Sequence, residues 1–92
     1  TPILQKKLYD NMSWNEENNT LEKTFKFDSF LQAMSFMTEC SKEIDAQNHH
    51  PEWTNIYNKV IVSLTTHDEG NTITAKDRKL AAVIDQVYCN YP

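Results

Sequence analysis

Three histidines are the side chains in this sequence best suited to chemistry near neutral pH. His49 and His50 are adjacent and precede Pro51, and His67 follows further along the chain. Imidazole has an ordinary pKa of about 6.5, so it can accept or donate a proton without a large perturbation. All three lie at predicted boundaries between secondary-structure elements, where proteins commonly display catalytic groups. The pattern predicts a site that moves protons, although unrelated surface histidines would give the same composition.

A zinc site is the alternative that three imidazoles also allow. Three neutral imidazoles can ligate zinc and leave one coordination position for water. The adjacent His49 and His50 would then have to point the same way, whereas neighbouring side chains in an extended chain diverge. No close carboxylate completes an obvious ligand set, and Cys40 and Cys89 fit no zinc spacing. We therefore expect no metal at this site.

Two carboxylates and one tryptophan could support the histidines. Asp45 precedes His49 by four positions and could orient an imidazole by accepting a ring N–H, or lie solvated in the last turn of a helix. Thr74-x-x-Asp77 has the spacing of a capping box, and we favour that role for Asp77 because it explains the spacing completely. Trp53 could wall an aromatic pocket or belong to the core or its rim. Both interpretations stay open for Asp45 and Trp53.

The first half of the chain is predicted to form a short helix, a hairpin and a long helix. Residues 2–9 have apolar side chains at helical spacing. A short strand over 12–16 would meet a half-buried strand over 21–27 through a turn at 17–19, where two asparagines tolerate positive φ. The long helix then spans about 29–46.

This long helix is apolar on more than one face. One row has the spacing of a helix face and is expected to pack on the sheet: Phe30, Ala33, Met34, Met37, Ser41 and Ile44. A second row is expected to meet a partner chain: Leu31, Phe36 and Cys40. Association would help so small a domain, which buries only ~60% of its extended-chain surface on folding.

The second half of the chain is predicted to form one long strand and a final helix. Pro51 disfavours helix at the residue before it and so ends the preceding element. Residues 54–66 alternate and are rich in β-branched side chains, which predicts one long, bent strand, with a further short strand near Trp53. A loop at 67–71 contains the only glycine, and the capping box at Thr74 opens the last helix.

The resulting order of elements, α-β-β-α-β-α, predicts an α+β fold: a small antiparallel sheet with helices packed on one face. Residues 1–92 form a single domain, since no composition shift marks a boundary. A lone glycine excludes glycine-rich phosphate cradles, and a net charge of -4 with scattered basic residues disfavours nucleic-acid binding. No apolar run is long enough to cross a bilayer. Two cysteines without a disulfide framework favour a cytoplasmic location.

The residues around the histidine pair read DAQNHHPEWTNIYNKV over 45–60, and they resemble the hallmark of the pterin-4a-carbinolamine dehydratases. The family pattern places a charged residue four positions before His-His-Pro, then a Tyr or Trp six after the proline, a third histidine ten further on, and an aspartate. These positions hold Asp45, His49-His50-Pro51, Tyr57, His67 and Asp77. The likeness extends from Trp14 to about Val87 and covers most of the chain.

The resemblance implies the small α+β dehydratase fold and a hydro-lyase reaction, the dehydration of a 4a-hydroxytetrahydropterin in tetrahydrobiopterin recycling. It assigns general acid and base catalysis to His49, His50 and His67. It implies no bound cofactor, because the pterin is the substrate. The implied substrate contacts lie in two short segments: Asn48, His49, His50, Thr65, Thr66, His67 and Asp68. Asp45, Trp53 and Asp77 would support them.

The resemblance also implies partners. Members of the family form homodimers through sheet edges, often doubled to homotetramers through helices. Some relatives bind the dimerisation region of a homeodomain transcription activator, a role that would add a nuclear location. A binding module on the same fold, without turnover, is therefore the alternative function. The complete set of three histidines favours an enzyme, and no nucleic-acid or membrane partner is expected.

Overall fold

The computed structural model describes residues 14–91, and the helix predicted at 2–9 lies outside these residues. Within this range the elements are β1 (Asn15–Glu17), β2 (Thr20–Lys26), α1 (Phe30–Gln47), β3 (Glu52–Ile56), β4 (Lys59–Leu64) and α2 (Ala75–Tyr88). A 3-10 turn at His67–Glu69 joins β4 to α2. The strands form one antiparallel sheet in the order β1-β2-β4-β3. The predicted α+β class is confirmed.

The hairpin at the start of the sheet has the predicted turn. Glu17 pairs with Thr20, so Asn18 and Asn19 form a two-residue loop. Both asparagines have positive φ, 55° and 62°, as a type I′ turn requires, and asparagine adopts this conformation at low cost. The strand before the turn begins at Asn15, and the first residues of the predicted 12–16 strand lie outside the described range.

The core lies between the inward face of the sheet and the two helices. Alternate residues of β2 and β4 point inward, as the period of a strand requires. The buried apolar residues are Leu21, Phe25, Phe27, Ala33, Phe36, Cys40, Ile44, Val60, Val62, Leu64, Leu80, Ala81 and Ile84. Because the sheet and both helices share this core, the loops at their ends are held in fixed relative positions. Neither helix within residues 14–91 is long and apolar enough to span a membrane.

Helix α1 buries part of the predicted core row together with part of the second row. Ala33 and Ile44 of the predicted row are buried and Met37 packs against the core, and Phe36 and Cys40 of the second row are buried as well. Phe30 and Met34, from the predicted core row, are instead 44% and 39% exposed, and Leu31 is 77% exposed. Both rows have helical spacing, and the ring of Phe36 decides between them because it packs against two phenylalanines of the sheet side. The prediction that Phe36 and Cys40 face a partner is therefore wrong, and for Leu31 it stays a prediction.

The long strand predicted over 54–66 is instead a hairpin of β3 and β4. Tyr57 adopts a positive φ of 52°. Asn55 donates side-chain hydrogen bonds to the carbonyls of Tyr57 and Lys59, which stabilises the tight turn. The prediction was wrong because the turn contains neither glycine nor proline, and an asparagine side chain takes over their function. The further short strand expected near Trp53 is β3.

Candidate active site

The end of α1 sets the direction of the chain that carries His49. Asn48 adopts the left-handed conformation, with φ 49° and ψ 42°, which asparagine tolerates better than most residues. The N–H of Asn48 donates to the carbonyl of Asp45, and the N–H of His49 donates to that of Ile44. These two bonds are those of a Schellman turn. The turn ends the helix and brings the His49 ring against α2.

His49 is the most buried member of the histidine set. Its Nε2 lies 2.6 Å from Oδ1 of Asp77, and its side chain is 11% exposed. Asp77 is fully buried. An ionised carboxylate has no hydrogen to donate, so Nε2–H of His49 donates and Nδ1 keeps the lone pair of the neutral ring. The contact therefore fixes both the orientation and the tautomer of a group that can exchange protons.

The Asp77 carboxylate accepts hydrogen bonds from three groups. Besides His49, the backbone N–H of Thr74 donates to Oδ2 at 2.9 Å, and the hydroxyl of Thr66 donates to the same oxygen at 2.7 Å. Burial by itself raises the pKa of this carboxyl, but the three hydrogen bonds outweigh burial and leave the pKa below its ordinary value. Asp77 is thus the predicted capping-box residue and also the partner of His49, a role that the sequence interpretation did not favour.

Thr66 connects the Asp77 carboxylate to the loop that carries His67. It is 2% exposed, and its hydroxyl also lies 2.6 Å from that of Thr74. Its backbone N–H and carbonyl form hydrogen bonds within the following residues, 67–72. Every polar group of Thr66 is therefore used inside the protein, which gives this residue a positioning role. The substrate contact assigned to Thr66 stays a prediction.

His67 begins the 3-10 turn after β4 and is exposed. Its Nδ1 lies 2.6 Å from Oδ1 of Asn71, so Nδ1–H donates and Nε2 keeps the lone pair. Gly70, with φ 81°, closes the turn by donating its N–H to the His67 carbonyl. His67 is therefore held in the opposite tautomer to His49.

His50 is far more exposed than His49. Its Nε2 lies 3.3 Å from Oδ1 of Asp45, and the two side chains are 58% and 85% exposed. A contact so open to water contributes little stability. Asp45 therefore contacts His50 and does not orient His49. Asp45 and His50 border a cavity of about 270 Å³. The half-buried Trp53 forms part of the wall of this cavity and also packs against the core.

His49 borders a second cavity, of about 430 Å³, between the end of α1 and the start of α2. This volume falls in the usual range of small-molecule sites, roughly 300–1,000 Å³. His50 faces the smaller cavity, and His67 lines neither of the two. The structure thus links His49 to the loop of His67 through buried hydrogen bonds. It does not gather the three imidazoles around one of these cavities, so their convergence on one ligand stays a prediction.

The other predicted substrate contacts are exposed or serve the fold. The Thr65 hydroxyl donates to the carbonyl of Asn19 in the β1–β2 turn. Asp68 is exposed in the 3-10 turn, and Asn48 is exposed beside His49. Contacts of these residues with a ligand stay predictions. Among residues 14–91, no three His, Cys, Asp or Glu side chains are arranged to hold a metal ion.

A half-buried acid on α2, Asp85, was missed by the sequence interpretation. Its carboxylate accepts hydrogen bonds from Nε1 of Trp14 at 2.8 Å and from Nζ of Lys23 at 3.1 Å. Burial raises the pKa of the Asp85 carboxyl, and these two bonds offset only part of that effect. The available signal was strand alternation, which places Lys23 on the same inward face as Leu21 and Phe25. An inward lysine requires a buried partner.

Similarity to known proteins is high along nearly the whole chain. The family model for pterin 4 alpha carbinolamine dehydratase matches residues 2–87. A protein of Opitutus terrae, provisionally named a pterin-4-alpha-carbinolamine dehydratase, is 46% identical over 84 residues, which cover 91% of this chain and 87% of that protein. A Prochlorococcus marinus protein of the same name is 48% identical over 77 residues, 84% of this chain and 80% of that one.

Two solved structures have the same fold. The structure of a transcriptional coactivator/pterin dehydratase from Brucella melitensis matches with a TM-score of 0.80 and 32% identity, covering 92% of each chain. A pterin dehydratase-like protein described as a RuBisCO assembly factor in the alpha-carboxysome matches with a TM-score of 0.71 over 83% of this chain and 89% of that one. At 24% identity, the second likeness concerns the fold alone. The chain therefore belongs to the pterin-4a-carbinolamine dehydratase family.

Proposed function

We propose that this protein dehydrates a 4a-hydroxytetrahydropterin to the quinonoid dihydropterin by histidine acid–base catalysis, as part of cytoplasmic tetrahydropterin recycling. The observation that carries the proposal is the buried series of hydrogen bonds from Thr66 through Asp77 to His49, which fixes one imidazole beside a cavity. Family membership supplies the class of reaction. The proposed reaction uses neither a metal nor a cofactor.

The chemistry requires two proton transfers. Carbon C4a of the substrate bears a hydroxyl group and is bonded to ring nitrogen N5. The lone pair of N5 forms the C4a=N5 bond while the C4a–O bond breaks, a proton is delivered to the departing oxygen, and N5 loses its hydrogen. Because the nitrogen drives out the hydroxyl group, the intrinsic barrier is modest. Positioned acid and base groups, worth about 10²–10⁴-fold, are a sufficient catalyst.

His49 and His67 are the two groups that we assign to these transfers. Asp77 holds Nε2–H of His49, so Nδ1 exchanges the proton, and the carboxylate stabilises the imidazolium that forms. Asn71 holds Nδ1–H of His67, so Nε2 exchanges the proton. Each ring thus has one anchored nitrogen and one nitrogen for chemistry. The exposed His50 we assign to binding and orienting the pterin.

The proposal is tested by following the ultraviolet absorbance of a 4a-hydroxytetrahydropterin as it decays with and without the protein. We expect the protein to accelerate the decay, and His67→Ala to lose about 100-fold of kcat/KM, since it removes one proton-transfer group. His50→Ala is the matched control, and its loss should be smaller and fall mainly on KM. Protein treated with a chelator should stay active, which separates this enzyme from a zinc hydrolase. Decay at the uncatalysed rate with folded wild-type protein would refute the proposal.

Self-association is a second property that we propose, and the exposed apolar residues of α1 support it. Phe30, Leu31 and Met34 lie within two turns on the outside of that helix. One structural neighbour is named a transcriptional coactivator/pterin dehydratase, so a different protein is the alternative partner for this surface. Light scattering distinguishes self-association from binding of a different protein. We expect an oligomer for the wild type and a smaller mass for Leu31→Asp, whereas a monomeric wild type would leave only the foreign partner.

A further inference from the structure

Two lysines lie beside the imidazole to which we assign proton transfer. Lys76 and Lys79 are three positions apart on α2, so their side chains lie on the same face of the helix. Both line the cavity of about 430 Å³ that His49 borders. Both residues are exposed. A ligand in this cavity would therefore meet His49 and two ammonium groups together.

No acidic side chain lines this cavity. The remaining lining residues are Ala46, Gln47 and Asn48. Asp77 is close in sequence to both lysines, but its two oxygens already accept hydrogen bonds from His49, Thr66 and the backbone of Thr74. The lining of the cavity therefore contains no negative charge that would neutralise Lys76 and Lys79.

Two other basic residues of the described chain have acidic partners, whereas Lys26, Lys42 and Lys59 form no ion pair within residues 14–91. Lys23 forms an ion pair with Asp85 at 3.1 Å, and Arg78 forms one with Glu16 at 3.0 Å. Within residues 14–91, neither Lys76 nor Lys79 has a carboxylate within 4.0 Å. In a protein with a net charge of -4, two such ammonium groups on one wall create a local positive field that attracts anions.

We propose that Lys76 and Lys79 bind an anionic group on the substrate, so that the preferred substrate is a tetrahydropterin whose side chain carries a phosphate or a carboxylate. This inference rests on the proposed dehydration at His49. The side chain of a pterin is attached to C6, the atom next to N5, so it begins one bond from an atom that takes part in the reaction. Lysine is a mobile point charge that suits either anion.

The test compares 4a-hydroxytetrahydropterins that differ in the charge of the side chain. A trihydroxypropyl pterin and its phosphate ester differ only in the phosphate, and a pterin with a glutamate-bearing side chain tests the carboxylate. We expect the wild type to prefer the anionic substrates in kcat/KM by roughly fivefold at low salt, as two exposed ion pairs allow. The preference should shrink at high salt because exposed charges are screened.

Substitutions at the two lysines test their role directly. The double variant Lys76→Gln/Lys79→Gln should lose the preference for the charged substrates. Lys59→Gln, at the opposite end of β4 from the site, is the matched control and should keep it. Quenching of the fluorescence of the oxidised pterin phosphate measures binding without turnover, and the double variant should weaken that binding by a similar factor.

The outcomes separate the two proposals. Normal turnover without any charge preference in the wild type overturns the lysine proposal and leaves the dehydration in place. Binding of the pterin phosphate that depends on the lysines, without turnover of any substrate, overturns the dehydration alone. A lower melting temperature with an unchanged preference in the double variant would show that the lysines only neutralise the carbonyl end of α1, which also overturns the inference.

Discussion

Helix α2 carries two carboxylates, the buried Asp77 and the half-buried Asp85, whose pKa values are shifted in opposite directions. Asp77, near its start, has a pKa below the ordinary value, whereas Asp85, further along, has a pKa above it. Burial raises the pKa of both. Asp77 accepts hydrogen bonds from three groups including His49, and Asp85 accepts from Nε1 of Trp14 and Nζ of Lys23. The hydrogen bonds to Asp77 outweigh the effect of its burial on the pKa, whereas the hydrogen bonds to Asp85 offset that effect only in part.

The partners also decide what each acid can do. Imidazole changes its charge near neutral pH, so a carboxylate bonded to His49 can stabilise the protonated ring when it forms. An ammonium group stays charged across that range, so the contact between Asp85 and Lys23 holds strand β2 against α2 and nothing more. We therefore assign Asp77 to the reaction and Asp85 to stability. Four substitution or pH experiments test this division.

The largest effect is expected from Asp85→Asn on stability. The carboxylate has two acceptor oxygens and the amide only one, so either Nε1 of Trp14 or Nζ of Lys23, whose side chain is 6% exposed, loses its acceptor. Leaving such a donor unsatisfied costs about 3 kcal/mol of unfolding free energy. Urea denaturation measures the loss. The charge-free pair Lys23→Met/Asp85→Leu should recover most of it, and an Asp85→Asn variant as stable as wild type would contradict the structural assignment.

Asp77→Asn should have the next largest effect, this time on catalysis. The amide can still accept the capping bond from Thr74, but it cannot stabilise an imidazolium at His49. We expect kcat/KM for dehydration to fall about 100-fold, or about 2.7 kcal/mol. The matched control is the Lys23→Met/Asp85→Leu protein, which should stay within about twofold of wild type in activity. Equal losses in the two variants would remove the distinction between the two acids.

Thr66→Val should have a smaller effect in the same direction. It removes the hydroxyl that donates to Asp77 at 2.7 Å and keeps the β-branched shape. One hydrogen bond to a charged group is worth about 1.5 kcal/mol, so kcat/KM should fall roughly tenfold. Thr66→Ser restores a hydroxyl and should restore most of the activity. A serine variant as impaired as the valine variant would show that Thr66 acts through packing alone.

The smallest effect concerns the pH dependence of stability, and the two acids should give opposite signs. A lowered pKa in the folded state means that the Asp77 contribution is present above the ordinary carboxyl value of about 3.9 and is lost as pH falls through the lowered value. A raised pKa means that the Asp85 contribution is greatest below about 3.9 and declines as pH rises through the raised value. Urea denaturation of wild type, Asp77→Asn and Asp85→Asn between about pH 2 and 7 gives two difference curves. Slopes of the same sign would contradict the comparison.

The parts of the fold that sequence patterns predicted are those fixed by local chemistry. The Asn18–Asn19 turn and the Thr74–Asp77 capping box each depend on residues within a few positions of one another. The break at Tyr57 was missed because Asn55, rather than glycine, stabilises the turn. The inward face of α1 was predicted only in part, because the position of Phe36 depends on its packing against Phe25 and Phe27, and helical spacing alone permits either face.

In the candidate site, too, the contacts that sequence patterns failed to predict are those between residues far apart in the chain. Sequence proximity suggested that Asp45 could orient His49, since residues four apart on a helix are neighbours. The helix ends at Asn48, whose left-handed backbone directs His49 away from Asp45 and toward Asp77, 28 positions along the chain. The family pattern includes both Asp77 and His49, but a sequence pattern does not show that the two side chains are in contact. That contact depends on the packing of α1 against α2, which local spacing does not encode.

The most direct test of the central claim, that Asp77 acts on the reaction through His49, is a double-mutant cycle in kcat/KM for pterin dehydration. The four proteins are wild type, Asp77→Asn, His49→Ala and the double variant. If the carboxylate works only by holding and stabilising the ring, Asp77→Asn should cost about 100-fold in wild type and less than about twofold once His49 is gone. A cost of about 100-fold in both backgrounds would show that Asp77 acts independently of His49, and would contradict the account.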